Sequence, residues 1–359
     1  MKKYIIILLS ACLLLMCACG QEPKAPEESS VSIWYINGDV LETALKERCV
    51  AIEAENNNTI KIELCPFESM QTMSESLQGR RPDLLLCSHE LAFSLAEQGM
   101  LKSLDVPGLD YSREMRDKYS GLEGGFFPVG ASVELLCSNE PLPKDYLLSL
   151  EALCTGFVND GRLLTADSFA RVLCSALMQR DGELGMSHVE NAALAEYTAI
   201  HNLLAETAYS GSLAVFDEGG IELLSRGITD AAIVSSSALA DLGNSLYIYS
   251  VPIAEGGRSC TMADMRGFAY LGNTRDNSRA ASLVLKALLS EGAGAELALS
   301  AGLVSAKHWE NTEQQEALYS VLYEIYSQWE LVLPSPISPW VMTRQQLEEE
   351  LSAALGYLQ

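Results

Sequence analysis

The chain has 359 residues, 48% of them hydrophobic, with 24 basic against 48 acidic side chains and a formal net charge of −24. So large an acidic excess repels phosphate backbones, which argues against a nucleic-acid-binding protein, and it gives anionic headgroups no basic face. The length suits two lobes or domains rather than one core.

Residues 1–15 read MKKYIIILLSACLLL, two lysines followed by an uncharged apolar run. From Tyr4 to Met16 that run falls short of the roughly 20 apolar residues a bilayer span needs, and it fits a secretory leader. It closes on Cys17-Ala18-Cys19-Gly20, which resembles the lipobox of bacterial lipoproteins, so cleavage before Cys19 and acylation of its thiol are expected. Leu9-Ser10-Ala11-Cys12 is a better match as a string, but cleavage there would leave most of the apolar run on the mature chain. Losing residues 1–18 removes two lysines and leaves 22 basic against 48 acidic residues. Residues 19–30 are polar with two prolines and read as a flexible tether.

The mature chain then alternates strands and helices. Residues 31–36 (VSIWYI) read as a strand, Asn37-Gly38-Asp39 as a turn, and Leu41, Leu45, Cys49 and Ile52 as one face of a helix. A strand over 60–67, a helix over 70–77, an apolar strand over 84–87 and a helix over 90–98 follow. This order opens a doubly wound sheet. Residues 126–139 read as a long strand, and 145–210 as mostly helical with breaks at Gly156, Gly161, Gly182 and Gly211. Residues 230–234 read as a strand, 277–289 and 312–329 as helices, Pro334, Pro336 and Pro339 as a loop, and 343–355 as a last amphipathic helix.

Of ten cysteines, three lie in the leader region; Cys49, Cys65, Cys87, Cys137, Cys154, Cys174 and Cys260 remain. They show neither CxxC nor a Cys/His ligand spacing and read mostly as core thiols. His89, His188, His201 and His308 are scattered, and GxSxG, P-loop and GxGxxG patterns are absent. No catalytic set, metal site or cofactor is expected.

PDLLLCSHELAFSLAEQGMLKSLD (82–105) resembles a recurring segment of the family 1 extracellular solute-binding proteins, the maltose-binding-protein-like receptors of ABC importers. SIWYINGD (32–39), FFPVGASVELLCSN (126–139), the run 216–234 with Gly227, and segments 249–254 and 267–303 follow that family's order, so the resemblance spans nearly the whole mature chain. It implies an α/β, two-lobed periplasmic-binding-protein-like fold, each lobe a sheet flanked by helices, with the ligand cleft between them. Lobe 1 would hold 31–130 with 252–308, and lobe 2 would hold 131–251 with 309–359. Hinges would fall at 129–131, 250–252 and 307–309. The implied function is a membrane-anchored extracellular receptor that captures a small solute, a carbohydrate or oligosaccharide by family habit. Its partners would be that solute, the transmembrane subunits of an ABC permease, and the bilayer through acylated Cys19. A sensor or scaffold lipoprotein without transport is the alternative.

The resemblance also marks ligand-binding candidates: Tyr35, Asn37, Asp39, Ser88, Glu90, Ser236, Arg266 and Trp340. Asp39 and Glu90 match carboxylates that bind sugar hydroxyls in maltose-binding relatives, and each accepts several hydrogen bonds. Asp39 also suits a helix N-cap, and Glu90 suits a helix's first turn. Arg266 would pair with a carboxylate ligand or with Glu90. Trp340 falls where relatives supply a stacking tryptophan. Cys87, Leu91 and Val40 replace an aromatic, an arginine and a lysine of the maltose-binding type, which weakens the sugar reading.

Overall fold

The computed structural model describes residues 29–109, 111, 122, 124–181, 195–214, 219–240, 242, 245–272, 277–307 and 317–332. Cys19, His188, His308, Trp309, Trp340 and the expected segments 1–28 and 343–355 lie outside the described residues.

The first half is built as its periodicity predicts. Strand β1 (Ser29–Ile36) leads to helix α1 (Glu42–Glu55), which buries Leu45, Cys49 and Ile52, the residues that shared one helical face in the sequence. Strand β2 (Ile60–Phe67) pairs parallel to β1 over all eight residues. Helix α2 (Met70–Leu77) starts at a capping box in which Ser69 and Thr72 bond each other's backbone N–H. Strand β3 (Leu84–Ser88) is also parallel to β1, and it runs directly into helix α3 (His89–Glu97). Ser88 caps α3, its Oγ accepting the Leu91 N–H at 3.3 Å.

One strand then joins both halves of the molecule. Strand β4 (Phe126–Ser138) is 13 residues long and buried almost throughout. Over Phe126 to Val133 it pairs antiparallel with strand β9 (Cys260–Tyr270), and over Glu134 to Ser138 with strand β7 (Ala231–Ser235). Strand β8 (Tyr247–Ser250) pairs with the second part of β4, and the two-residue strand β10 (Val304–Ser305) pairs with Ala131 and Gly130. Beyond β7 lie the parallel strands β5 (Leu164–Ala166) and β6 (Leu213–Ala214). The sheet path is β2-β1-β3-β9-β4-β7-β5-β6.

A β-bulge lies between Pro128 and Gly130 of β4. Side chains alternate along a strand, so an extra residue exchanges the faces. Ahead of the bulge Phe126 packs in the core that includes Trp34 and Leu85, while Phe127 and Val129 join the core beneath α1. Behind it the odd residues Ala131, Val133, Leu135 and Cys137 enter the first of those cores, five residues and more on from Phe126. The even residues Ser132 and Glu134 are thereby set on the other face.

The stretch read as helical over 145–210 holds helices α4 (Leu150–Asp160), α5 (Phe169–Asp181) and α6 (Ala195–Tyr209), and β5 between the first two. Helix α7 (Gly220–Ser225) precedes β7. Helices α8 (Ser278–Leu289) and α9 (Glu291–Ser300) cover the first half-sheet, with α8 burying Val284, Leu285, Leu288 and Leu289. Helix α10 (Ala317–Gln328) leads to strand β11 (Glu330–Val332), which pairs parallel with the start of β9. All seven described cysteines are free thiols, six of them buried; burial pushes Cys49, Cys87 and Cys137 up to about 12. Such thiols are unreactive core residues.

Two glycines permit the close backbone approaches at this junction. A Cβ on Gly267 would lie 2.5 Å from the Phe127 carbonyl oxygen and 2.8 Å from Pro128 Cα. Gly302, at φ +66°, packs against the Ser236 carbonyl. Gly267→Ala is therefore expected to lower stability in urea unfolding by about 1–3 kcal/mol. Gly292→Ala, on an open face of α9, should be neutral or stabilising by up to about 1 kcal/mol.

Candidate functional site

Strands β1, β2 and β3 all end on the edge of the first half-sheet that faces the junction, and turns carry polar side chains there. After β1 the chain turns at Asn37-Gly38-Asp39, with Gly38 at φ +78°. Asp39 Oδ1 accepts the Leu41 N–H at 3.0 Å, and Gly38 N–H donates to Glu42 Oε2 at 2.7 Å. These bonds fix the Asp39 carboxylate, whose side chain is only 3% exposed, with Oδ2 3.3 Å from Arg266 Nη1. Arg266 lies opposite both Ser88 of β3 and Gly130 of β4, and it is the part-exposed member of this pair. Its carboxylate partner is thus Asp39 and not Glu90. Glu90 is half-buried in the first turn of α3, and its neighbour His89 is buried.

The remaining candidates divide by exposure. Asn37 is exposed, and Ser88 is half-buried at the helix cap. Tyr35 is buried at 1% exposure, its hydroxyl 3.4 Å from Glu42 Oε1. Ser236 is fully buried and its Oγ accepts the Val133 N–H at 3.2 Å, so it fastens the end of β7 to β4. Beside it Ser235 and Ser237, both half-buried, share a 2.9 Å hydrogen bond. Those two are the serines of the group that reach solvent. Trp340 lies outside the described residues.

The structure adds four charged residues that sequence reading passed over. Asp264 and Arg266 lie two apart in β9 and so share a face, as do Ser132 and Glu134 in β4. Arg171, in the first turn of α5, reaches both strands: its Nε lies 2.6 Å from Glu134 Oε1, and its Nη1 bonds Asp264 Oδ2. Asp167 follows β5, and its Oδ1 accepts the Gly220 N–H at 2.8 Å. Glu134 is 5% and Arg171 12% exposed. Burial pushes Glu134 up to about 7; Asp167 and Asp264 add to this, and the Arg171 charge opposes it. Burial works to lower the Arg171 pKa, but the charges of Glu134 and Asp264 and their hydrogen bonds outweigh it and raise it.

Chemically, the junction is a polar surface of carboxylates, two guanidinium groups and serine hydroxyls held by strand ends and helix N-termini. The one readable warning was a glutamate inside the apolar run VGASVELLC, since an uncompensated charge in a buried strand is costly. Among the described residues no cluster of His, Cys, Asp and Glu has the arrangement to hold a metal ion, and no helix is long and apolar enough to cross a membrane.

No family model matches the sequence, and no curated protein matches it significantly. Solved structures do match in fold. The cyclic α-maltosyl-1,6-maltose binding protein of Arthrobacter globiformis aligns at TM-score 0.70 and 14% identity, over 92% of this chain and 96% of its own. The maltose–maltodextrin binding protein of Alicyclobacillus acidocaldarius gives 0.68 and 14%, over 92% and 96%. The spermidine/putrescine ABC transporter substrate-binding protein of Streptococcus pneumoniae gives 0.63 and 13%, over 91% and 99%. The fold is therefore the two-lobed α/β fold of periplasmic-binding-protein-like receptors.

Removing one member of the buried network exposes its worth. Arg171→Met leaves Glu134 and Asp264 facing each other and should cost about 3–5 kcal/mol in urea unfolding. The sign with pH is set by Glu134, whose folded pKa lies above its unfolded value. Its contribution is full below pH 4.5 and is lost as pH rises through about 7. The stability of the wild type relative to Glu134→Gln should thus fall between pH 4.5 and 7.5, read from paired denaturation curves.

Proposed function

We propose that this chain is an extracellular solute receptor that binds a small polar ligand between its two lobes and presents it to the transmembrane subunits of an ABC permease. The observation that carries this reading is the polar junction itself. Carboxylates and hydroxyls from both half-sheets converge where strands β4, β9 and β10 cross, at strand C-terminal ends, the place α/β sheets bind ligands. Asp39, Ser88, Glu90 and Arg266 supply one wall. Ser235, Ser237, Asp167 and Asp264 supply the other. Tyr35 and Ser236 act from beneath, as supports for the turns that carry the wall.

A carbohydrate is the ligand this reading favours. Asp39 has its geometry set by Leu41 and Arg266 before any ligand arrives, and a fixed carboxylate accepts paired hydrogen bonds from vicinal hydroxyls. Three of the structural neighbours, at TM-scores of 0.66 to 0.68, are described as binding maltodextrins or acarbose, which supports the same choice. Lobe boundaries near 130 and 251 and hinges at the crossing segments complete the reading, since closure bends the crossings and leaves each lobe intact. Acylation of Cys19 would hold the receptor at the outer face of the membrane. The chain acts by binding and not by catalysis.

Thermal-shift screening against oligosaccharides, polyols and polyamines tests this directly. A maltodextrin-type sugar should raise the melting temperature. Asp39→Asn and Glu90→Gln should each weaken that ligand by roughly tenfold, as expected for loss of one charged hydrogen bond. No shift with any sugar would remove the carbohydrate assignment, and a shift with spermidine alone would replace it.

A further inference from the structure

A polar cavity lies on the edge of the first half-sheet away from the lobe junction. It measures about 640 Å³ and is lined by Ser30, Ser32, Glu63, residues 77–81, Asp83, Lys102, Gly272 and Asn277. That volume falls within the roughly 300–1,000 Å³ of small-molecule sites. In a chain of net charge −24, three cations meet here: Arg80, Arg81 and Lys102. Composition hid the cluster, because Lys102 stands 21 residues from Arg81 and reaches the cavity only through the fold.

The walls are fixed and their negative charge is largely engaged. Asp83 is fully buried, and one of its oxygens accepts both the Ser32 N–H at 2.9 Å and the Ser32 hydroxyl at 3.1 Å. Glu63 lies 3.8 Å from Arg80 across an exposed surface, a contact that solvent largely screens. Lys102 Nζ donates to the Gly272 carbonyl at 3.0 Å and keeps two further N–H groups. Asn277 donates to the Ser30 carbonyl at 2.6 Å, closing one side. Arg81 is exposed and makes no ion pair with any described residue. Carbonyls of the last turn of a helix disfavour an anion, but at the end of α2 the Gln78, Gly79 and Arg80 N–H groups already occupy those of Glu75 and Ser76.

We infer that this cavity binds a phosphate ester, with Arg80 and Arg81 forking onto its oxygens and Lys102 neutralising it from the opposite wall. Planar guanidinium groups match phosphate oxygens in pairs, and an ammonium adds a point charge. The ester has two possible sources, a soluble sugar or glycerol phosphate and a phospholipid headgroup. The second is considered because Ser30, next to the start of β1 at Ser29, lines the cavity, and Cys19 stands ten residues before Ser29 in the sequence.

The test uses the full chain and its Arg80→Gln/Arg81→Gln variant, with sn-glycerol 3-phosphate by calorimetry and with phosphatidylglycerol against phosphatidylcholine vesicles by flotation. Insertion of the apolar run 4–16 and attraction of Lys2 and Lys3 to anionic lipid are common to wild type and variant and cancel between them. Binding of glycerol phosphate that weakens roughly tenfold or more in the variant assigns a soluble ester. Preference for phosphatidylglycerol that the variant loses, without glycerol phosphate binding, assigns a headgroup. Absence of both, or binding unchanged in the variant, overturns the inference. Melting temperatures within error of each other show that the exposed substitutions leave the fold intact, and sugar binding at the junction is unaffected whichever result is obtained.

Discussion

Everything in this structure depends on how β4 satisfies its backbone. Thirteen residues run through the middle of the molecule with almost no contact with water, so each N–H and C=O must find a partner within the protein. No single neighbouring strand supplies them all. The first part takes β9 on one side and β10 on the other; the second takes β7 and β8. The exchange of partners falls at Val133 and Glu134. Two half-sheets that share one strand in this way cannot separate. The bulge at Pro128 and Gly130 sets which residues face which half. Without that extra residue, Ser132 and Glu134 would enter the apolar core and Val133 would face α5.

Where local pattern and final environment agree, the sequence could be read. The strands read at 60–67 and 84–87 and the helix at 70–77 follow from alternation and apolar runs, and β3 extends one residue further, to Ser88. The strand at 260–270 was legible only from Gly267 onward, because Asp264 and Arg266 interrupt its apolar pattern. Those two residues belong to the junction. Glu134 breaks β4 in the same manner. Local rules fail where a site is built, since polar side chains there serve contacts that neighbouring residues do not reveal. Strands β5, β6 and β10, of two or three residues, were missed for another reason: nothing so short carries a period. The bulge and the reach of Arg171 from α5 are tertiary and leave no local mark.

The electrostatics show how sparingly cations are used. Arg171 lies between two carboxylates in a nearly dry position, and its network is worth several kcal/mol to keep intact. The Asp39–Arg266 pair is different. With Arg266 37% exposed and a separation of 3.3 Å, it contributes about 0–1 kcal/mol. Its value is positional: it orients a carboxylate whose other oxygen is already held by Leu41. One arginine therefore braces the crossing strands, and the other tunes the wall beside them.

Under the proposed receptor function, this division sets what a ligand would have to do to close the lobes. Shifting a two-state equilibrium from 1:99 to 99:1 takes about 5.5 kcal/mol of differential affinity. A hydrogen bond to a charged group supplies roughly 1.5–3 kcal/mol, so about two to four bonds made only in the closed form are enough. The first wall offers Asp39 and Glu90; the second offers Asp264, which is 29% exposed beside Arg171, and the Ser235–Ser237 pair. With the buried thiol of Cys87 and no aromatic ring at the end of β3, little of this energy would come from stacking at that point. Closure of the proposed receptor would rest on bridging polar groups across the crossing strands, which favours a ligand with hydroxyls on two sides over one with a single apolar face.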